Sequence, residues 1–258
     1  MPSNDLEPLR FSRLKLMSKS AAHYALGYGE DTGSMRKGTG IHSLMLGDSS
    51  RVKVYNGARN KKHKKYQAFL EQNPDCQILS KKEMVEVDGM RRSLDAHPRA
   101  LELLDGIREE RIEWSLSGRA CAGTPDVVKL IGDGRKRLVE LKSGVSTKPD
   151  LFLWQAKKMC YHGQLSWYAR GLETTMAYAP GPVTEQYIVA VESTAPYPVT
   201  VINVHDSMRR KGERQCRFWF EQLLVCEATG HFPGYVESDV DWADDDTELE
   251  WDEDEEAA

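Results

Sequence analysis

The spacing of apolar positions changes along the chain, and the changes mark out an order of elements. Over residues 12–26, Leu14, Leu16, Met17, Ala21, Ala25 and Leu26 recur at helical spacing, and the glycine-containing stretch 27–33 breaks the pattern. Residues 38–47 predict a short helix with Ile41, Leu44 and Met45 at i, i+3 and i+4, and residues 66–70 form another amphipathic turn. Ser80-Lys-Lys-Glu83 has the form of a capping box, and Met84, Val87, Met90 and Leu94 make one helical face behind it. His97-Pro98 interrupts, and residues 99–104 resume as helix. The period then drops to two. Ile112, Trp114 and Leu116 alternate with Arg111, Glu113 and Ser115, and two more strands are expected over 119–131 and 137–143, so that 110–143 reads as a three-stranded antiparallel meander. Residues 149–171 predict one long helix with Trp154, Lys157, Tyr161, Gln164 and Tyr168 towards one side. Strands over 186–192 and 198–204 and an amphipathic helix over 206–229, containing Phe218, Phe220, Leu223 and Leu224, complete the pattern. Helices, three strands, a helix, two strands and a helix make an α/β fold, with a central mixed sheet of about five strands flanked by helices. One domain is expected over 1–236, with a helical part at 10–105 and an α/β core at 106–236.

Charge divides the chain differently. The 258 residues carry a net charge of -5, yet 13 of the 40 acidic residues and none of the 35 basic ones fall from Glu237 onward. The part before Glu237 therefore has 35 basic against 27 acidic residues, a net of +8, and the tail hides a basic body. Residues 237–258, acidic and poor in aliphatics, are expected to be disordered. Trp242 and Trp251 among the carboxylates suit a partner-binding motif or a nucleic-acid mimic, and a merely solubilising tail fits equally well. No apolar run approaches the roughly 18 residues of a membrane span, and the N-terminus lacks the layout of a secretory signal. A cytoplasmic protein with no membrane contact is expected. Five widely spaced cysteines without a CxxC pair argue for reduced, mostly buried thiols rather than a disulfide framework or zinc ribbon. The run Arg59-Asn-Lys-Lys-His-Lys-Lys65 is either a solvated face or a phosphate-contacting arm through Lys61, Lys62, Lys64 and Lys65.

The chemistry concentrates in a hairpin. Gly132-Asp133-Gly134 is a loop suited to the positive φ angles of a tight reversal. A hairpin centred on Asp133 sets Asp126 directly opposite Glu140, and opposed like charges destabilise a ladder unless a cation lies between them. Period-2 geometry puts Glu140 and Lys142 on one face, and Val139 and Leu141 on the other. Lys142 either pairs with these carboxylates at a strand surface, or the two carboxylates hold Mg²⁺ or Mn²⁺ beside it. His42, beside the apolar stripe of its helix, is either a packed core residue or a ligand.

Pro125-Asp126, 13 intervening residues and Glu140-Leu-Lys142 resemble the signature of PD-(D/E)xK nucleases. Gln164-Leu-Ser-Trp-Tyr168 is similar to the Gln-x-x-x-Tyr motif of their RecB and lambda-exonuclease branch, and its two polar residues share a helix face. Gly38-Thr-Gly-Ile-His42 is similar to the Gly-x-x-x-His segment of the same branch. The layout from Ser18-Lys-Ser-Ala-Ala-His23 to Gly171 most resembles the exodeoxyribonuclease VIII (RecE) family, over most of residues 10–235.

That resemblance implies a restriction-endonuclease-like core and a magnesium- or manganese-dependent deoxyribonuclease with two ions. It assigns Asp126, Glu140, the Leu141 carbonyl and His42 to metal, Lys142 to the attacking water, and Gln164 and Tyr168 to the DNA strand or the site's hydrogen bonds. Glu113 matches an acidic position of RecE-like proteins. Some relatives hold an iron–sulfur cluster with one upstream cysteine and a downstream trio; Cys216 and Cys226 stand alone here, and no cluster is expected. The implied activity is exonucleolytic resection of linear double-stranded DNA, 5′ to 3′, leaving 3′ single strands for phage-type recombination. The implied assembly is a ring-like homo-oligomer working with a single-strand annealing protein in a bacterial host. The alternatives are a structure-specific or single-strand endonuclease with the same site, and a DNA-binding or recombination-partner module whose site is inactive.

Overall fold

A computed structural model describes residues 7–27, 33–60, 62–175, 178 and 181–235, so the acidic stretch from Glu237 lies outside the described residues. Leu9–Arg10 (β1) leads into Phe11–Leu14 (α1), a 3-10 turn at Lys15–Ser18, and Ala21–Leu26 (α2). The single helix expected over 12–26 is thus broken. Ser20 starts α2 by accepting the His23 N–H on its hydroxyl at 3.3 Å, the competition for backbone groups that makes serine a helix starter. Gly33–Met45 (α3) is longer than the predicted 38–47 pattern at its start. Val52–Val54 (β2) and Gln77–Leu79 (β3) form a small parallel pair linked through Lys64–Gln72 (α4). Strands of three residues are too short to show alternation, and the sequence reading missed both. Lys81–Asp95 (α5) begins at the predicted capping box: Ser80 Oγ accepts the Glu83 N–H at 3.2 Å and Glu83 accepts the Ser80 N–H at 2.7 Å. Val87, Met90 and Leu94 of its predicted face are fully buried. Pro98–Leu103 (α6) follows, with His97 Nδ1 accepting the Ala100 N–H.

The expected meander divides between two sheets. Ile107–Arg108 (β4) comes first, then Ile112–Leu116 (β5) and Arg119–Gly123 (β6), which pair with each other and, through β6, with β1. Val127–Leu130 (β7) and Lys136–Gly144 (β8) belong to a five-stranded sheet with Val183–Glu192 (β9) and Val199–Asn203 (β10), in the order β10-β9-β8-β7-β4. One strand over 119–131 is impossible because Pro125 has no N–H for a ladder, and the chain changes sheets at Thr124-Pro125-Asp126. β8 and β9 are parallel, the other neighbours antiparallel.

A parallel pair needs a crossover, supplied by Pro149–Lys158 (α7) and Tyr161–Thr174 (α8). The predicted single helix is cut by Cys160, which takes a left-handed conformation at φ 58°. Trp154 and Lys157 therefore sit exposed on α7, while Tyr161, Gln164 and Tyr168 ride on α8. Asp206–Thr229 (α9) has the predicted bounds and stops at Gly230, left-handed at φ 70°.

Two cores cover the two faces of the large sheet. On one, Leu138, Ile188 and Ala190 pack with Phe152, Leu165, Trp167, Trp219 and Phe220 from α7, α8 and α9. On the other, Val139, Leu141, Val189 and Val191 pack with Ile41, Val87, Met90 and Leu103 from α3, α5 and α6. Each such aliphatic side chain contributes about 1.5–3 kcal/mol on full burial. β8 is thus held from both sides, and its polar residues are fixed where they fall. The result is the expected mixed sheet flanked by helices, with a helical N-terminal region. Cys121, Cys160, Cys216 and Cys226 are buried and unpaired, and burial pushes the Cys121 and Cys216 thiols up to about 12. Among the described residues, no helix is long and apolar enough to cross a membrane.

Candidate active site

The hairpin has the predicted register. Val127 pairs with Val139 and Leu130 with Lys136, and Gly132, Asp133 and Gly134 all take positive φ in the reversal. The Ile131 N–H donates to the Arg135 carbonyl at 3.0 Å, which makes that pair, and every second pair from it, a hydrogen-bonded one. Continued past Val127–Val139, the series sets Pro125 opposite Leu141. Proline has no N–H to give the Leu141 carbonyl. His42 supplies the donor instead, its Nε2 donating to the Leu141 carbonyl at 2.8 Å, and the Leu141 N–H donates to Asp126 Oδ2 at 2.7 Å. α3 delivers His42 by packing Ile41, its neighbour, into the core below β8.

Glu140 and Lys142 lie on the other face of β8. Glu140 is 1% exposed, and the Lys142 ammonium bonds its Oε2 at 2.7 Å and stands 3.7 Å from Asp126 Oδ2. The Asp126 N–H donates to Glu140 Oε1 at 3.3 Å, and His42 Nδ1 lies 3.4 Å from Asp126 Oδ1. Burial works against charge on every one of these groups. For Asp126 the positive charges of His42 and Lys142 outweigh it and hold the carboxyl below its ordinary value. Burial and the neighbouring Asp126 charge raise Glu140 despite Lys142. Burial would lower Lys142 and His42, but Glu140 and Asp126 raise the first, and Asp126 raises the second.

Two carboxylates and a backbone carbonyl form an oxygen donor set of the kind hard divalent cations prefer. Among the described residues no three His, Cys, Asp or Glu side chains already surround one point as a cage. The lone pairs are engaged by Lys142, His42 and backbone N–H groups instead. The site balances its negative charge with side-chain cations, and its donor chemistry fits an ion that takes over part of that role.

α8 brings two further groups to the same face. Gln164 Nε2 donates to the Tyr168 hydroxyl at 3.2 Å, and burial first, then the charge of Glu140, raises that hydroxyl above its ordinary value. The Tyr168 ring lies against Gly123, where a Cβ would stand 2.7 Å from it. Tyr161, one turn before Gln164, places its ring centroid 5.5 Å from Lys142 Nζ.

Glu113, the acidic position matched by resemblance, does not join these groups. Glu113 points to solvent from β5 and pairs with Arg111 Nη2 at 2.7 Å, in the other sheet. Glu109 stands beside Asp126 instead: its N–H donates to the Asp126 carbonyl at 3.1 Å, and its carboxyl, raised first by burial, feels His42 and Asp126. Nothing in the periodicity marks Glu109, which turns the chain at φ 48° just after a two-residue strand. Lys15, in the 3-10 turn, is lowered first by burial, with Cys160, Lys142 and Lys19 as its electrostatic neighbours. Lys62, Lys64 and Lys65 are exposed at the approach to α4 and make no ion pair with the site; Lys61 lies outside the described residues.

Residues 10–240 match the family described as a PDDEXK-like domain of unknown function (DUF3799). The chain belongs to this family. A PDDEXK-like fold agrees with the five-stranded mixed sheet and its two helical layers. The crystal structure of a "Putative exonuclease" from Eubacterium rectale superposes with a TM-score of 0.60 over 93% of each chain, at 10% identity, a likeness of fold. The structure of SSO0001 aligns over 80% of this chain and 84% of its own at 12% identity, but with a TM-score of 0.31 the likeness is too slight to argue from. No curated protein matches the chain.

Proposed function

We propose that this PDDEXK-like protein is a metal-dependent deoxyribonuclease, and specifically an exonuclease that resects linear duplex DNA from 5′ ends to leave 3′ single strands. The observation that carries the reading is the meeting of Asp126, Glu140, the Leu141 carbonyl and Lys142 at one point of β8. His42 from α3 and Gln164 and Tyr168 from α8 support it from either side. Asp126, Glu140 and the Leu141 carbonyl would hold the ion, with His42 beside them. A divalent ion there supplies Lewis acidity towards a phosphoryl oxygen and a more acidic water.

The chain's own residues do the rest. Lys142, charged between two carboxylates, is a donor and not a base; it orients the attacking water and offsets the negative charge that grows on the phosphoryl oxygens. Water oxygen adds to phosphorus as the bond to the leaving oxygen breaks in line, one water proton reaching the leaving group and the other solvent. Gln164 and Tyr168 hold the strand, with Lys61, Lys62, Lys64 and Lys65 adding sequence-independent attraction to phosphates. Glu113 has no part. A ring-like oligomer, a single-strand annealing partner and a role in phage-type recombination go with the RecE-like reading and rest on sequence resemblance.

The test is incubation with Mg²⁺ and end-labelled linear duplex, closed circular duplex and single-stranded DNA, alongside Lys142→Ala and Asp126→Asn. Loss of linear duplex alone, abolished in both variants, is the expected result. Cutting of closed circles overturns the exonuclease reading, unchanged variants overturn the site, and no cleavage of any substrate leaves a binding module.

A further inference from the structure

α7 exposes more apolar surface than its packing explains. Only Phe152 and Ala156, one turn apart, are buried, while Trp154 is 64% and Leu151 55% exposed, and Val145 on the loop leading in is 79% exposed. Single exposed aliphatic residues need no explanation, but a tryptophan three positions from an exposed leucine on one helix face does. The charge around it is positive. Lys157 and Lys158 lie at i+3 and i+4 from Trp154, and the Lys158 ammonium sits 4.9 Å from the Trp154 ring centroid. Among the described residues neither lysine pairs with a carboxylate, and Asp150, the single acidic residue of the helix, is taken by Lys148 at 3.0 Å.

Position ties α7 to the site. Gln155, next to Trp154, packs its amide on Gly144, where a Cβ would stand 3.2 Å away. Gly144 is two residues along β8 from Lys142, about 7 Å, or roughly two nucleotides of strand rise. α7 then passes through the Cys160 turn directly into the helix of Gln164 and Tyr168.

We infer that the Leu151–Trp154–Lys158 face of α7 is a stacking platform for an unpaired nucleobase of a single strand held at the site, an inference that rests on the nuclease reading. An exposed aromatic ring flanked by unpaired lysines is the combination that binds single strands irrespective of sequence, the ring taking the base and the ammoniums the backbone. Inside a duplex every base is stacked on both faces, whereas each base of a single strand can offer a face to the ring, so a single strand is the occupant.

The test measures affinity of the full chain for a fluorescein-labelled oligothymidylate in EDTA, where nothing is cleaved, for wild type, Trp154→Phe, Trp154→Ala and the Lys157→Ala/Lys158→Ala pair. Trp154→Ala is expected to weaken binding about 5- to 100-fold, the loss that removal of one base–aromatic stack produces, with Trp154→Phe in between. The double lysine variant is expected to flatten the dependence of affinity on salt. Melting at the wild-type temperature checks that each variant is folded. Equal affinity in Trp154→Ala, or no binding by a wild type that cleaves DNA with Mg²⁺, overturns the inference and leaves the nuclease reading standing. A wild type that neither binds nor cleaves removes both. Sedimentation showing that Trp154→Ala splits an oligomer makes the face a contact between copies and also overturns it.

Discussion

Leu141 is held by Asp126 through a bond that no strand neighbour makes: beyond Val127–Val139, where the paired register with β7 ends, its N–H reaches Asp126 Oδ2 at 2.7 Å. The proline ends the ladder one residue before the aspartate, and the aspartate closes the gap with its side chain. One carboxylate therefore has two duties, and substitutions separate them. Asp126→Asn keeps an oxygen acceptor for the Leu141 N–H and is expected to stay within about 1 kcal/mol of wild-type stability. Its cleavage rate is expected to fall at least about a thousandfold, roughly 4 kcal/mol of transition-state stabilisation. Asp126→Ala leaves a buried N–H without its acceptor and should cost a further 1–3 kcal/mol or so. Denaturant melts and single-turnover cleavage of all three proteins read the two duties independently.

Gly123 governs Tyr168 in the same indirect way. A methyl group there would stand 2.7 Å from the phenol ring, and neither the β6 backbone nor a ring buried in the same core as Trp114, Trp167 and Leu172 yields easily. Gly123→Ala is expected to cost about 1–3 kcal/mol by overpacking and to turn Tyr168 away from Gln164. Cleavage should drop in Gly123→Ala as far as in Tyr168→Phe, with no additional loss in the double variant. Additive losses would show that the glycine acts on something other than the tyrosine.

The hairpin and its surroundings were not equally legible. Its register could be read because Gly132 and Gly134 fix the reversal and the alternation of Leu138, Glu140 and Lys142 against Val139 and Leu141 fixes the faces. α9 and the start of α5 were legible for a like reason, since their caps and periodic faces are local. The breaks at Ser20 and Cys160 were not. In both places the apolar spacing runs on across the break, and only tertiary packing selects two helices over one. Glu113 rests on resemblance alone, and because the chain changes sheets at Pro125, β5 is not a neighbour of β7. The neighbour is β4, two residues long and invisible to any periodicity, and it brings Glu109.

The donor set also predicts how the folded state responds to metal without any turnover. An ion that binds the native site and not the unfolded chain stabilises by mass action, by about 2.7 kcal/mol at a hundredfold excess over Kd. Titration of the chelated protein with Mg²⁺ or Mn²⁺ is expected to raise the melting temperature of wild type. Asp126→Asn and Glu140→Gln should melt at a metal-independent temperature. A variant that loses cleavage but keeps the full metal-dependent rise would take its residue out of the donor set.

Glu83 offers a pH test of the scaffold beneath α3. Burial opposes its charge, yet a bond from Arg59 at 2.9 Å and the capping bonds with Ser80 bring its carboxyl down to about 2; Arg36 of α3 stands 3.6 Å away. The folded value lies below the unfolded one of about 4.5, so the unfolded chain takes up the proton more readily and stability rises with pH across this window. The contribution is complete above the unfolded value and disappears as pH falls towards the folded one. Glu83→Gln removes the charge but can still accept the Ser80 N–H, as glutamine does in capping boxes. The variant is expected to be about 2–3 kcal/mol less stable than wild type near neutral pH, and the gap should close as pH falls towards 2. Taking the difference between the two proteins at each pH cancels every other titrating carboxylate. Because Arg36 ties this cluster to the helix that carries His42, hydrogen exchange in α3 should quicken in the variant at neutral pH and match wild type in acid.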